Sequence, residues 1–185
     1  MQDKDPNNLE AHAPGAKLDA GKNRLGLVLG GFANALRAVN LSSGYDPHTD
    51  TIWGYPNALW QIGLVGTFGA AKYTDNGWMH VDNAQARYTD AFLRHILKHL
   101  AGERIDSDSG LPHMAHAAWN ALAVLSFVLS NWDAAIPQTS GSMSPEAQWL
   151  RVTTASTQEQ RVAYTAAMAR DTLRCLEDYL TQEQR

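Results

Sequence analysis

Three carboxylates and two histidines crowd one short stretch: Glu103, Asp106 and Asp108, then His113 and His116. Carboxylates three residues apart lie on one face of a helix, where hard oxygens can share Mg2+ or Mn2+. Glu103 and Asp106 have that spacing and are candidate metal ligands, and Asp90 is a candidate third carboxylate. The other reading of Asp90 is an intrahelical pair with Arg94, one turn on. His113, His116 and Asn120 share a stripe that turns apolar through Val124 and Phe127. Buried histidines need partners. They either close this segment as hydrogen-bonded structural residues, or position water and orient a carboxylate. In the second case Glu103, Asp106, His113 and His116 form the candidate catalytic set. His95 and His99 also have metal-binding spacing, but no cysteine or acid stands at fixed spacing beside them, so no structural zinc is expected.

Anion chemistry has a second candidate. Lys17-Leu18-Asp19-Ala20-Gly21-Lys22-Asn23-Arg24 sets three cations around a glycine, just before an amphipathic segment. Such a loop at a helix N-terminus suits a phosphate group. It is not a P-loop: Gly15 to Gly21 is one residue too long, Asn23 stands where Ser or Thr would bind Mg2+, and no strand precedes it. A solvated basic loop is the alternative. Trp53, Trp60 and Trp78 lie near basic residues and can stack a base, although large aromatics also build cores.

The whole chain constrains these options. Its 185 residues are 44% hydrophobic and 18% charged, which fits a globular fold and excludes a disordered one. A net charge of −4 disfavours a nucleic-acid polymer as partner, so an anionic ligand must meet a local cluster of bases. Cys175 is the single cysteine, which rules out an internal disulfide and suits a reducing compartment. The N-terminal stretch carries no apolar signal segment, and the apolar run around Ala121–Leu129 is too short to span a bilayer. No membrane partner is expected.

Helices must position the candidate residues. Leu25, Val28, Leu29, Phe32, Leu36 and Val39 recur at helical spacing. Pro56 can open a second helix, on which Gly63, Gly66 and Gly69 would let another backbone approach closely. Asp75-Asn76-Gly77 reads as a turn. Asp82 with Gln85 resembles a capping box for a helix ending near Leu100, before Gly102. A polar hairpin from Glu103 to Gly110 leads into a helix with Pro112 near its start, ending near Trp132. Ser144-Pro145-Glu146 is a helix-start signal, and Ser156 with Glu159 makes a second capping box. No strand pairing or repeat emerges. The expected fold is all-α, a bundle of four to five main helices with a flexible N-terminal arm and a long C-terminal helix. Its expected divisions are an arm over 1–16, a helical core over 17–133, a linker over 134–145 and a C-terminal helical appendage over 146–185.

Three blocks in order, KLDAGKNR, FGAAKYTDNGW and YTDAFLRHILKHLAGERIDSDSGLPHMAHAAWNAL, carry a family resemblance. They resemble the N-terminal domain of phage dATP/dGTP diphosphohydrolases, an all-α group related to MazG-type nucleotide pyrophosphohydrolases. The likeness spans Lys17 to Ser130. MazG-type enzymes hold Mg2+ with Glu-x-x-Glu followed by Glu-x-x-Asp. Glu103-x-x-Asp106 matches the second pair, whereas the first is replaced by Asp90 followed by Leu93. The resemblance implies cleavage of a purine (deoxy)nucleoside triphosphate to monophosphate and pyrophosphate. In that scheme Glu103, Asp106 and Asp90 hold Mg2+ or Mn2+. Lys17, Lys22, Arg24, Lys72 and Arg94 meet the phosphates, with Asp19, Tyr73, Trp78 and His95 as further nucleotide contacts. The alternative is a non-catalytic binder that sequesters a host signalling nucleotide; a third reading is a purely structural helical oligomer. The resemblance also implies a homo-oligomer, for which the apolar stripe Leu173, Leu176 and Leu180 of the C-terminal helix is the expected contact; the single cysteine and the lack of a signal segment point to a cytoplasmic location (the host cytoplasm for a phage-encoded protein).

Overall fold

The computed structural model describes residues 19–42, 54–130, 144 and 157–183. Six α-helices and no named strand occur among them: α1 Leu25–Gly31, α2 Ala33–Ser42, α3 Pro56–Lys72, α4 Ala84–Leu100, α5 His113–Leu129 and α6 Gln158–Gln182. The expected all-α class with a long C-terminal helix is the observed one. Lys17, Trp53, the arm, the linker apart from Ser144, and Ser156 lie outside the described residues.

Several helix boundaries follow local chemistry. Pro56 opens α3 in its first turn, where a missing N–H costs nothing. Gly102 ends α4 with φ +93°, and Gly110 turns the hairpin with φ +70°. Others differ from the sequence reading. The first periodic run breaks at Phe32 into α1 and α2, after the poorly helical pair Gly30-Gly31. Asp82 does not cap α4; Asn83 precedes it in the left-handed region without a side-chain cap bond. The box on α6 lies one residue later than expected. Thr157 Oγ accepts from Gln160 N–H at 3.1 Å, and Gln160 Oε1 accepts from Thr157 N–H at 3.3 Å. The α3 N-terminus is capped from a distant helix instead. Glu177 of α6 accepts from Ala58 N–H at 2.7 Å and Asn57 Nδ2 at 2.8 Å, which places its charge at the positive end of α3.

Helix α5 is the centre of the bundle, with Met114, Ala115, Ala117, Ala118, Ala121, Leu122 and Leu125 all buried. Its many alanines let α3, α4 and α6 pack closely around it. Phe92 and Ile96 of α4 and Leu173 and Leu176 of α6 close the same core. Each such burial contributes roughly 1.5–3 kcal/mol. The stripe of α6 expected to cross a subunit contact therefore faces its own chain: Leu173 and Leu176 are fully buried, and Leu180 packs beside them.

Two of the three spaced glycines have a packing reason. A Cβ on Gly66 would sit 2.5 and 2.7 Å from the Val28 methyls, and one on Gly63 would meet Leu25 and Asn23. A Cβ on Gly69 would meet nothing within 4 Å. Gly66→Ala should therefore destabilise by about 1–3 kcal/mol through overpacking against α1. Gly69→Ala should instead stabilise by up to about 1 kcal/mol through helix propensity. Urea melts of both variants test this; equal effects would mean that α1 does not set the requirement.

Candidate functional site

The hairpin between α4 and α5 folds back so that its acids meet the first turn of α5. Antiparallel pairing of Ile105 with Pro112 closes it, with His113 N–H donating to Arg104 O at 2.9 Å. Glu103 and Asp106 thus lie on a hairpin and not on a helical face, and they do not share a ligand position as the three-residue spacing suggested. They approach opposite nitrogens of one imidazole. Glu103 Oε1 is 3.1 Å from His113 Nε2, and Asp106 Oδ2 is 3.9 Å from His113 Nδ1. His113 is fully buried.

A third ring arrives from α4. His95 Nδ1 is 2.8 Å from His113 Nδ1, and the His95 ring stacks on His116 at 4.6 Å and 12°. Position 95 places this ring toward α5, whereas His99, one turn on, turns to Arg104 and Tyr179. The two do not act as a pair.

Hydrogen bonds order the acid. Asp106 Oδ1 accepts from Ser109 N–H and Ser109 Oγ, both at 3.0 Å, and from Asp108 N–H at 3.2 Å. Because the Ser109 hydroxyl proton goes to Asp106, Ser109 Oγ accepts from His116 Nε2 at 2.7 Å. His116 thereby orients Asp106 through one serine.

Burial resists charge on Asp106, but the Ser109 donors and the neighbouring histidines outweigh it and hold the carboxyl below its usual range. Glu103 is also held low, first by Lys98 at 3.0 Å and then by His113. Burial, with His116 and His113 adding to it, depresses His95 from 6.5 to about 3. Burial lowers His116 in the same direction. Between pH 6.5 and about 3 the unfolded chain binds a proton at His95 that the folded chain does not. That uptake favours the unfolded chain, so stability is undiminished above pH 6.5 and falls as pH drops through that window. The urea midpoint of chelator-treated protein should drop accordingly, and less steeply in His95→Asn. Identical pH profiles would show that His95 is not the neutral group responsible.

The cluster opens onto a cavity of about 720 Å³ bounded by α1, α3, α4, α5 and the 3-10 turn Gly77–His80. That volume suits a nucleotide-sized ligand. Its lining includes the aromatic residues Phe68, Trp78, Tyr88 and Trp119 and the polar residues Lys72, Arg87, Arg94, His95, Asp106 and His116. Trp78 is wedged against Phe32 at 4.8 Å and Trp119 at 5.7 Å, so it builds the wall as well as facing the space. Tyr73 stands at the rim, 78% exposed. Lys72 bonds Asp108 at 2.6 Å, which raises the lysine further above its usual value.

The sequence candidates thus separate. Glu103, Asp106, His113, His116 and His95 are brought together, and Lys72, Tyr73, Trp78 and Arg94 line the adjoining cavity. Asp90 is not among them; it is exposed and lines a different groove with Gln85, Thr89 and Phe127. Arg24 holds Asp75 with both guanidinium nitrogens at 2.6 Å, and Asp19 and Lys22 sit in the turn before α1, outside the cavity lining. The sequence reading missed Arg87 and Asp108 as lining residues. Arg87 had a signal, since it stands two turns before Arg94 on the same helix face.

The donor set can hold a divalent ion. Ligand atoms of His95, Asp106 and His113 all lie within 4.8 Å of one another. No described helix is long and apolar enough to cross a membrane. No curated protein and no solved structure matches the chain. The family model described as dATP/dGTP diphosphohydrolase, N-terminal, matches residues 42–135, which holds the whole His/Asp cluster and leaves out the basic loop and α6. With that match over just more than half of the sequence, the chain belongs to the dATP/dGTP diphosphohydrolase N-terminal domain family.

Proposed function

We propose that the chain binds a purine (deoxy)nucleoside triphosphate in this cavity and hydrolyses it to the monophosphate and pyrophosphate. The observation that carries this reading is that one cavity joins an aromatic wall, three cations and the His/Asp cluster. The base would lie against Trp78 and Trp119, where flat apolar rings favour stacking. Lys72, Arg87 and Arg94 would meet the phosphates and neutralise charge as the α–β phosphoanhydride bond breaks. Lys72 would then exchange Asp108 for phosphate. Water supplies the oxygen added to the α-phosphorus, and pyrophosphate leaves from it.

A divalent cation would lower the pKa of water and offset phosphate charge when bound. His95, Asp106 and His113 are the residues that would hold it. In this reading Glu103 fixes His113, and His116 fixes Asp106 through Ser109. Asp90 takes no part, and Arg24 acts through Asp75 on the loop beyond the cavity.

The test is a thermal-shift panel of dATP, dGTP and their ribose analogues, followed by product analysis with and without EDTA. Monophosphate and pyrophosphate formed only with divalent metal are expected. Nucleoside and triphosphate as products would overturn the cleavage position. Tight binding without turnover in any metal would select the sequestering alternative. Arg94→Ala should weaken triphosphate binding about tenfold or more but leave nucleoside binding nearly unchanged, since lost charge acts on phosphates. Equal loss for both ligands would remove Arg94 from phosphate recognition.

A further inference from the structure

We infer that His95, Asp106 and His113 form a resident site for a transition-metal ion of the Mn2+, Fe2+, Co2+ or Zn2+ class, in which Glu103 positions His113 without touching the ion. This deepens the proposed function and rests on it for where the chemistry occurs, but metal binding can be measured alone.

The hydrogen bonds single out the free donor atom on His113 and on Asp106. Glu103 Oε1 faces His113 Nε2 at 3.1 Å, and a carboxylate can only accept, so Nε2 carries the proton. The remaining nitrogen, His113 Nδ1, faces His95 Nδ1 at 2.8 Å. Asp106 divides its oxygens in the same way. Oδ1 takes the Ser109 and Asp108 donors, while Oδ2 is the atom 3.9 Å from His113 Nδ1.

Two imidazole nitrogens and one carboxylate oxygen therefore converge, all within 4.8 Å of one another. Metal–ligand bonds of roughly 2.0–2.2 Å place neighbouring donors about 3–3.5 Å apart. Binding would draw His95 and Asp106 in toward the buried His113. The ion would replace the His95–His113 hydrogen bond, with the His95 proton moving from Nδ1 to Nε2. Three protein ligands leave positions for water or phosphate.

Nitrogen-rich sites favour late first-row ions over Mg2+, which demands oxygens and gives up water reluctantly. A histidine ligand whose other N–H is held by a carboxylate is the usual outer-sphere support of such ions. Lys98 in turn holds Glu103 at 3.0 Å. The Glu103-x-x-Asp106 spacing thus splits into one ligand and one positioning residue.

The experiment titrates chelator-stripped full-length protein with Co2+ and follows visible absorption. One equivalent should saturate a new band, Zn2+ should displace it, and millimolar Mg2+ should not. Asp106→Asn and His95→Gln should each abolish the band while circular dichroism stays helical. Glu103→Ala should weaken Co2+ affinity about 10–100-fold. Glu103→Gln, whose amide oxygen still accepts from His113, should recover most of it. No band, a band surviving in both ligand variants, or displacement by Mg2+ at equal concentration would overturn the inference. Loss of the band in Asp106→Asn only through unfolding is covered by His95→Gln. Nucleotide hydrolysis in Mg2+ without any Co2+ site would sink this inference alone. A Co2+ site in a protein that never hydrolyses nucleotides would instead sink the proposed function.

Discussion

Asp106→Asn should lower triphosphate turnover by about a thousandfold while changing nucleotide affinity only a few-fold. The asparagine carbonyl can still accept from Ser109 and Asp108 through the Oδ1 position, so the hairpin keeps its turn. What changes is the atom facing His113 Nδ1 at 3.9 Å, which goes from an anionic acceptor to an N–H donor. Metal affinity and local charge are lost together, whereas Lys72, Arg87, Arg94 and the aromatic wall remain. Steady-state kinetics with dATP and dGTP should show the loss in kcat and not in KM. Asp90→Asn is the matched control on α4 and should leave turnover unchanged, because Asp90 lines a different groove. If the two variants lost activity equally, the hairpin cluster would not be the centre of the chemistry.

Asp171→Ala should destabilise the fold by about 3–5 kcal/mol. Asp171 is fully buried on α6, with Oδ1 3.1 Å from Arg170 Nε and 3.5 Å from Arg174. Arg170 is itself only 8% exposed. Truncating the acid leaves a buried guanidinium without this carboxylate, and the cost of a buried charge is large. Against a typical domain stability of roughly 5–15 kcal/mol, that loss removes a major share. The urea midpoint gives the measurement. Replacing Arg170 by leucine in the same chain should recover part of the deficit, because the buried charge goes with it. A change below about 1 kcal/mol in Asp171→Ala would show that solvent reaches this pair in solution.

The proposed chemistry and the stability of the fold thus draw on polar groups in different elements. The hairpin cluster lies within the family-matched segment, whereas Asp171 lies on α6 beyond it. The C-terminal helix nevertheless completes the core around α5, and Glu177 caps α3, the helix that carries Lys72. Damage to α6 should therefore reach the cavity through α3.

Local chemistry already determined the helices. The 3.6-residue spacing of Phe92 and Ile96, the proline at position 56 and the glycine at 102 act within a few residues of themselves, so their effects are legible along the chain. The all-α class, the hairpin after α4 and the grouping of Glu103, Asp106, His113 and His116 follow from such short-range features. Where each side chain points was decided only in three dimensions. Glu103 and Asp106 share a spacing, yet the hairpin turns them to opposite edges of His113. His95 joins them because α4 lies antiparallel to α5 across the hairpin, a placement set by core packing. Asp90 and Arg24 look equally suitable as residue types, but α4 turns one to another groove and Asp75 holds the other. A spacing constrains neighbours on one element, whereas a site joins several elements, and only their packing selects which candidates meet.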